Sequence, residues 1–249
     1  MALKYEDIKK EFMDTVNNDK TCQRLYKQIR SGDASYKTGS QLAARIGEDL
    51  GKVLKKYAPQ TTVYEWDLDD LLPKSLGLAH SMVAEACNQI QTKMNKDAGL
   101  GIKPKHPRFD WDRVQGMITE LKDHADNFSD IEKSFWDQLA NFSQNIVDES
   151  IRENANLMFN SGIRTLVVRQ SEGGACKWCE AQAGSYDYNE VRDTGNDVWR
   201  RHENCRCTID FVTERNSSLY TERVNNFKTR GDYHARTFTG QTKGGTEKQ

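Results

Sequence analysis

The chain has 249 residues, and its 36 Lys+Arg against 37 Asp+Glu leave a formal net charge of -1, which argues against a globally basic nucleic-acid binder. Hydrophobic residues are 36% and the mean hydropathy is -0.84, a polar balance that fits long helices with large wet faces, and 9% aromatic residues speak against disorder. No apolar run approaches the roughly 18 to 20 residues of a membrane span, and Met1 to Lys10 lacks the apolar core of a signal peptide, so a cytosol-like compartment is expected, where disulfides are not the default use of cysteine.

In chain order, Tyr5, Ile8, Phe12 and Val16 recur at helical spacing, and Leu25 and Ile29 extend the theme until Ser31-Gly32-Asp33 breaks it. Leu42, Ile46, Leu50, Val53 and Tyr57 form a third apolar stripe, stopped at Ala58-Pro59. Asp67, Asp69 and Asp70 have the look of a metal cluster, but acids gather at helix N-termini for electrostatic reasons, and that reading is preferred. Leu76, Ala79, Val83, Cys87, Ile90 and Met94 make a fourth stripe, followed by a loop containing Gly99, Gly101, Pro104 and Pro107. Trp111, Val114, Ile118, Leu121 and Ala125 make a fifth. Ser129 with Glu132 reads as a capping box that opens a sixth helix carrying Ile131, Phe135, Leu139, Phe142 and Ile146. That helix is expected to run to about Asn160 and to end with Gly162 as its cap.

Beyond it the pattern changes. Arg164 to Arg169 is short and β-branched, as a strand should be, and Glu172-Gly173-Gly174 reads as a turn. Gly184 to Tyr188 reads as a hairpin arm and Cys207 to Val212 as a further strand. From about Asn225 the composition is that of a loose tail. The expected architecture is mainly α with a small α+β C-terminal lobe: a helical domain over 1–160, a Cys/His-stabilised lobe over 161–224 and a flexible tail over 225–249.

Four of the six cysteines, Cys176, Cys179, Cys205 and Cys207, fall close together with His202 among them, as C-x2-C followed by H-x2-C-x-C. A C-x2-C turn aims two thiolates at one point, and a C-x-C on a strand puts both sulfurs on one face. Five candidate ligands compete for the four positions of a tetrahedral zinc ion. Either all four cysteines bind with His202 behind them, which is slightly preferred, or His202 replaces Cys207. Two disulfides among the same cysteines are the main alternative. His202-Glu203-Asn204-Cys205-Arg206 lacks the second His of a catalytic zinc helix, and no Ser/His/Asp set, phosphate loop or carboxylate pair can be defended, so no enzyme is expected. Cys22 and Cys87 read as buried small hydrophobes, and His80 and His124 as ordinary helix residues. Trp178, between the first two cysteines, is expected to shield the metal or pack in the lobe. Arg200, Arg201 and Arg206 form the densest basic cluster and are candidate phosphate contacts.

The C-x2-C pair, Gly184 five residues on, and His202-Glu203-Asn204-Cys205-Arg206-Cys207 leading into a strand resemble the C-terminal domain of the phage Mu F-like head morphogenesis proteins, also called minor head or minor capsid proteins. Arg152, Ala155, Asn156 and Gly162 at a helix end, then the strand Leu166 to Arg169, extend the resemblance over about residues 150–213. This chain has Glu203 where the family usually has Pro, and Val198-Trp199-Arg200-Arg201 where many members carry prolines. The resemblance implies a virion protein of the capsid interior or portal vicinity, made in the host cytoplasm. Its partners would be portal and capsid proteins, and weak DNA contact at ejection would be possible. A zinc-stabilised nucleic-acid-binding protein using the arginine cluster is the alternative.

Overall fold

The computed structural model describes residues 4–57, 67–124, 128–171, 175–192, 198–201, 205 and 207–215, with the side chains of 128–130 excepted. These residues are mainly helical with one small antiparallel sheet near the C-terminus, matching the architecture expected from the sequence. No helix among them is long and apolar enough to cross a membrane. The chain divides into two compact units, Met1–Ser150 and Ile151–Gln249.

The first unit is built on α1 (Tyr5–Asn18), α2 (Lys20–Ser31), α3 (Tyr36–Tyr57), α4 (Leu68–Asp97), α5 (Trp111–Asp123) and α6 (Phe128–Asn160) up to Ser150. The apolar stripes seen in the sequence become buried faces for the most part; Trp111, at the head of the fifth, is 57% exposed, and Ala125 lies outside the described residues. Ile8, Phe12 and Val16 are buried on α1, Leu42, Ile46, Leu50 and Val53 on α3, and Phe135, Leu139, Phe142 and Ile146 on α6. The break between α1 and α2 comes at Asp19, whose carboxylate accepts from the Cys22 backbone N–H and so caps α2. At the other end of α2, Gly32 takes the left-handed conformation, φ 79°, that closes a helix without Cβ strain.

The structure departs from the sequence reading at the start of α4 and adds to it elsewhere in the first unit. α4 starts at Leu68, eight residues before its expected stripe, because Leu68, Leu71 and Leu72 are buried and Asp67 stands at its N-cap. Pro73 lies within this helix, close to its start. Asp69 and Asp70 lie in the first turn, where they pair with Lys122 and Lys74, so the helix-terminus reading of these acids holds. The glycines of α3 proved to be a packing feature. A Cβ on Gly47 would stand 2.6 Å from the Ala140 Cα and from the Leu139 carbonyl oxygen, so α3 and α6 touch backbone to backbone there.

The first unit also buries a polar chain. Tyr36 Oη donates to Gln91 Oε1 at 2.7 Å, Gln91 Nε2 to Asn95 Oδ1 at 2.7 Å, and Asn95 Nδ2 to the Ile102 carbonyl at 2.7 Å. The loop between α4 and α5 is thereby tied to the bundle. Phe109 in that loop packs edge-on against His80, Trp111 and Phe142.

The second unit begins with the end of α6, which closes at Gly162, φ 76°, as expected. It contains β1 (Thr165–Gln170), α7 (Lys177–Gln182), β2 (Gly184–Asp187), α8 (Tyr188–Val191) and β3 (Thr208–Thr213). The sheet order is β2-β1-β3, all antiparallel, so β1 is central. Side chains alternate across a strand. Leu166 and Val168 therefore share one face, where they cluster with Val212. Val167 and Arg169 take the other face, beside their cross-strand partners Tyr186, Phe211 and Ile209. The expected turn at Glu172 to Gly174, the stop at Pro59 and the tail 225–249 lie outside the described residues.

Candidate metal centre

C-x2-C is wound into the start of α7. Cys176 takes the N-cap position with extended backbone, and its sulfur accepts from the Cys179 N–H at 3.5 Å, while the Glu180 N–H bonds back to the Cys176 carbonyl at 3.0 Å. This local turn rotates Cys179 inward, to 1% exposure, and leaves Cys176 exposed beside it.

Cys205 and Cys207 reach the same place from the other side of the lobe. They were expected on a strand, but β3 starts at Thr208, where the last β1 partner, Gln170, ends the ladder. The two cysteines therefore sit in the segment just before the sheet, both buried. Arg201 Nη1 donates to the Cys207 carbonyl at 2.7 Å and fixes that segment.

The sulfurs of Cys179, Cys205 and Cys207 all lie within 4.8 Å of one another, and the Cys179 and Cys205 sulfurs are 3.7 Å apart. A tetrahedral zinc ion with bonds of about 2.3 Å to sulfur spaces its ligands about 3.8 Å apart. The three thiols thus stand near the edge length of such a site, so this cluster could hold a metal ion. The structure joins none of the six cysteines in a disulfide. Cys176 lies outside the group of three, although its sulfur caps the turn that carries Cys179. His202 and Arg206 lie outside the described residues.

The electrostatics favour one thiolate before any ion arrives. Cys205 is held well below the usual thiol range, first by the hydrogen bond from the Cys207 thiol, then by the Cys207 backbone N–H and the charges of Arg201 and Arg169, against the opposing effect of burial. Cys207 is pushed up, first because it donates that hydrogen bond and then by burial. Burial pushes Cys179 up as well. An incoming cation would meet one thiolate and displace protons from the others.

Among the described residues, apolar groups and the Arg169 guanidinium lie against the sulfurs. Trp178 and Ala175 pack against the three cysteines. The Arg169 guanidinium lies 5.1 Å from the Trp178 ring centroid, and its Nη2 donates to the Cys205 sulfur at 3.7 Å. Sequence reasoning passed over Arg169. The available signal was an arginine inside a short β-branched strand, on the same face as Val167. Of the arginines picked for phosphate contact, Arg200 is exposed and Arg201 is half-buried and bonded to the lobe's own backbone.

A second group, Asp19, Cys22 and Asp49, also brings three potential ligand atoms within 4.8 Å. Here protein cations are already in place. Arg45 bonds Asp19 at 2.6 Å and approaches Asp49 at 3.7 Å, and Lys52 bonds Asp49 at 2.7 Å. The Cys22 thiol, pushed up to about 12 by burial and then by Asp49, stays protonated. This group is an ion-pair network joining α2 to α3. Cys87, fully buried, is the small hydrophobe expected of it.

Compared with known proteins, the chain matches no family model, no curated protein and no solved structure.

Proposed function

We propose that this chain is a phage minor head protein, a non-catalytic assembly factor that works at the portal or the capsid interior. The observation that carries this reading is the convergence of Cys179, Cys205 and Cys207 beside a three-stranded sheet entered from a long helix. This is the order of helix end, strand, cysteine pair and cysteine-bearing strand approach on which the resemblance to the Mu F-like proteins rests. The helical unit supplies the surface for portal and capsid partners, and the lobe is a structural module. Its metal is zinc, held by Cys179, Cys205 and Cys207 with a fourth ligand from Cys176 or His202. Bound zinc supplies folding free energy, about 10 kcal/mol for structural sites of this type. With all four positions filled by protein, it offers no open position for catalysis.

The test is made on particles. In the phage or prophage that encodes it, the chain is expected in purified heads at a few copies each. It should also co-purify with the portal protein before DNA is packaged. Deleting the gene should stop head maturation. Absence from purified particles, with normal heads in the deletion strain, would remove this reading. The zinc-dependent nucleic-acid-binding alternative makes the opposite demand: duplex DNA binding that falls steeply with salt and disappears when Arg200 and Arg206 are neutralised.

A further inference from the structure

Arg169 is 1% exposed and stands first among the largest fully buried side chains described. Burying a guanidinium costs several kcal/mol unless hydrogen bonds and opposite charge compensate it. Its fork reaches each part of the lobe that carries the cysteines. Nη1 donates to the carbonyls of Val198 at 2.7 Å and Arg200 at 2.8 Å, which sets the segment leading toward Cys205. Nη2 donates to the Cys205 sulfur itself. The guanidinium carbon lies over the ring of Trp178, between the two cysteines at the start of α7. Its own backbone is fixed in the central strand, paired with Gly184 on one side and Ile209 on the other.

A divalent ion bound by three thiolates carries one net negative charge, and by four carries two. Such a centre, taken out of water, needs a cation next to it. We propose that Arg169 is the positioning residue and fixed counter-ion of the metal centre, holding Cys205 by an N–H to sulfur hydrogen bond and offsetting the charge of the thiolate set. This rests on the reading of the cysteine cluster as a zinc site. The carbonyl bonds explain why an arginine is needed: a lysine would bring the charge without a fork able to hold two carbonyls and a sulfur together.

The experiment uses the full chain loaded with zinc, and with cobalt(II) as a spectroscopic stand-in. For Arg169→Lys, zinc affinity measured by chelator competition is expected to fall about 10- to 100-fold, the usual loss when an outer partner of a ligand is removed. The sulfur-to-cobalt charge-transfer band is expected to move to lower energy while the tetrahedral cobalt bands persist. An arginine that merely supported the fold would lower the melting temperature and leave that band in place. In wild-type protein loaded with a spin-half cadmium isotope, a slowly exchanging Arg169 N–H should show scalar coupling to the metal. This measurement needs no variant, so it decides the matter even if Arg169→Lys does not fold. Unchanged affinity and band energy in Arg169→Lys, or no coupling in cadmium-loaded wild type, would overturn the role of Arg169 alone. Wild-type protein that takes up neither zinc nor cobalt would overturn the metal reading, and Arg169's role with it.

Discussion

In Met1–Ser150 the fully buried side chains are large aliphatic and aromatic groups, among them Phe12, Phe135, Phe142, Leu25, Leu42, Ile46 and Leu50. In Ile151–Gln249 a three-residue apolar cluster on one sheet face is matched by a cluster of three thiols with a buried arginine beside it. The helical unit draws its stability from area removed from water, which depends on no ligand. The lobe buries reactive, protonatable groups in addition to apolar residues such as Val167, Tyr186, Ile209 and Phe211, so part of its stability is linked to whatever those groups bind. The two regions should therefore respond to different reagents.

The largest expected effect is the separation of the two by metal. Cys179→Ser or Cys205→Ser, or a strong chelator, should remove about 10 kcal/mol of zinc-linked folding energy from the lobe. Hydrogen exchange should then show β1, β2 and β3 losing protection while α1 to α4 keep theirs. A single joint transition, indifferent to chelator, would erase the contrast between the two regions. Next, Phe12→Ala should cost the helical unit about 3–5 kcal/mol in urea unfolding, with zinc content unchanged. A smaller loss, about 1–3 kcal/mol, is expected for Gly47→Ala, whose new methyl would meet the backbone of α6. Gly77→Ala is the control. It lies on α4 with nothing within 4 Å of the new Cβ, and should be stabilising by about 0.5–1 kcal/mol.

A further effect, confined to low pH, is a dependence on acid. The Arg45 guanidinium beside Asp19 holds its carboxyl down to about 2 from 3.8. A folded value below the unfolded one gives stability that is complete above about pH 4 and is lost as the pH falls through about 2. Because the pair is partly solvated, the amount is of order 1–2 kcal/mol. Asp19→Asn should flatten the acid limb of the helical unit's stability curve over that window. An unchanged acid limb would take Asp19 out of the account.

What could be read in advance divides along the same line. The faces of α1, α3 and α6 were legible because a helix that buries one side must repeat its apolar residues every three or four positions. The cysteine pairs were legible because ligand spacing is local. Properties belonging to two segments at once were not. Gly47 carries meaning only through Ala140 and Leu139, which lie on another helix. The sheet stops at the Gln170 and Thr208 pair, so alternation alone could not tell that Cys205 and Cys207 fall just outside it. Arg169 was hidden because an arginine in a strand ordinarily faces water, and only the pairing of β1 on both sides turns it inward.

The polar chain from Tyr36 through Gln91 and Asn95 to the Ile102 carbonyl has a consequence for how uniform the molecules are. Two greasy helices can slip past each other by one turn and bury nearly the same area. Four groups that must meet donor to acceptor have a single alignment, and a slip would strand the buried ones, Tyr36, Gln91 and Asn95, without partners. The chain of amides and the phenol thus acts as a keyway, selecting one sliding position of α3 against α4 and pinning the following loop to it. Every copy of the helical unit then settles into the same helix alignment.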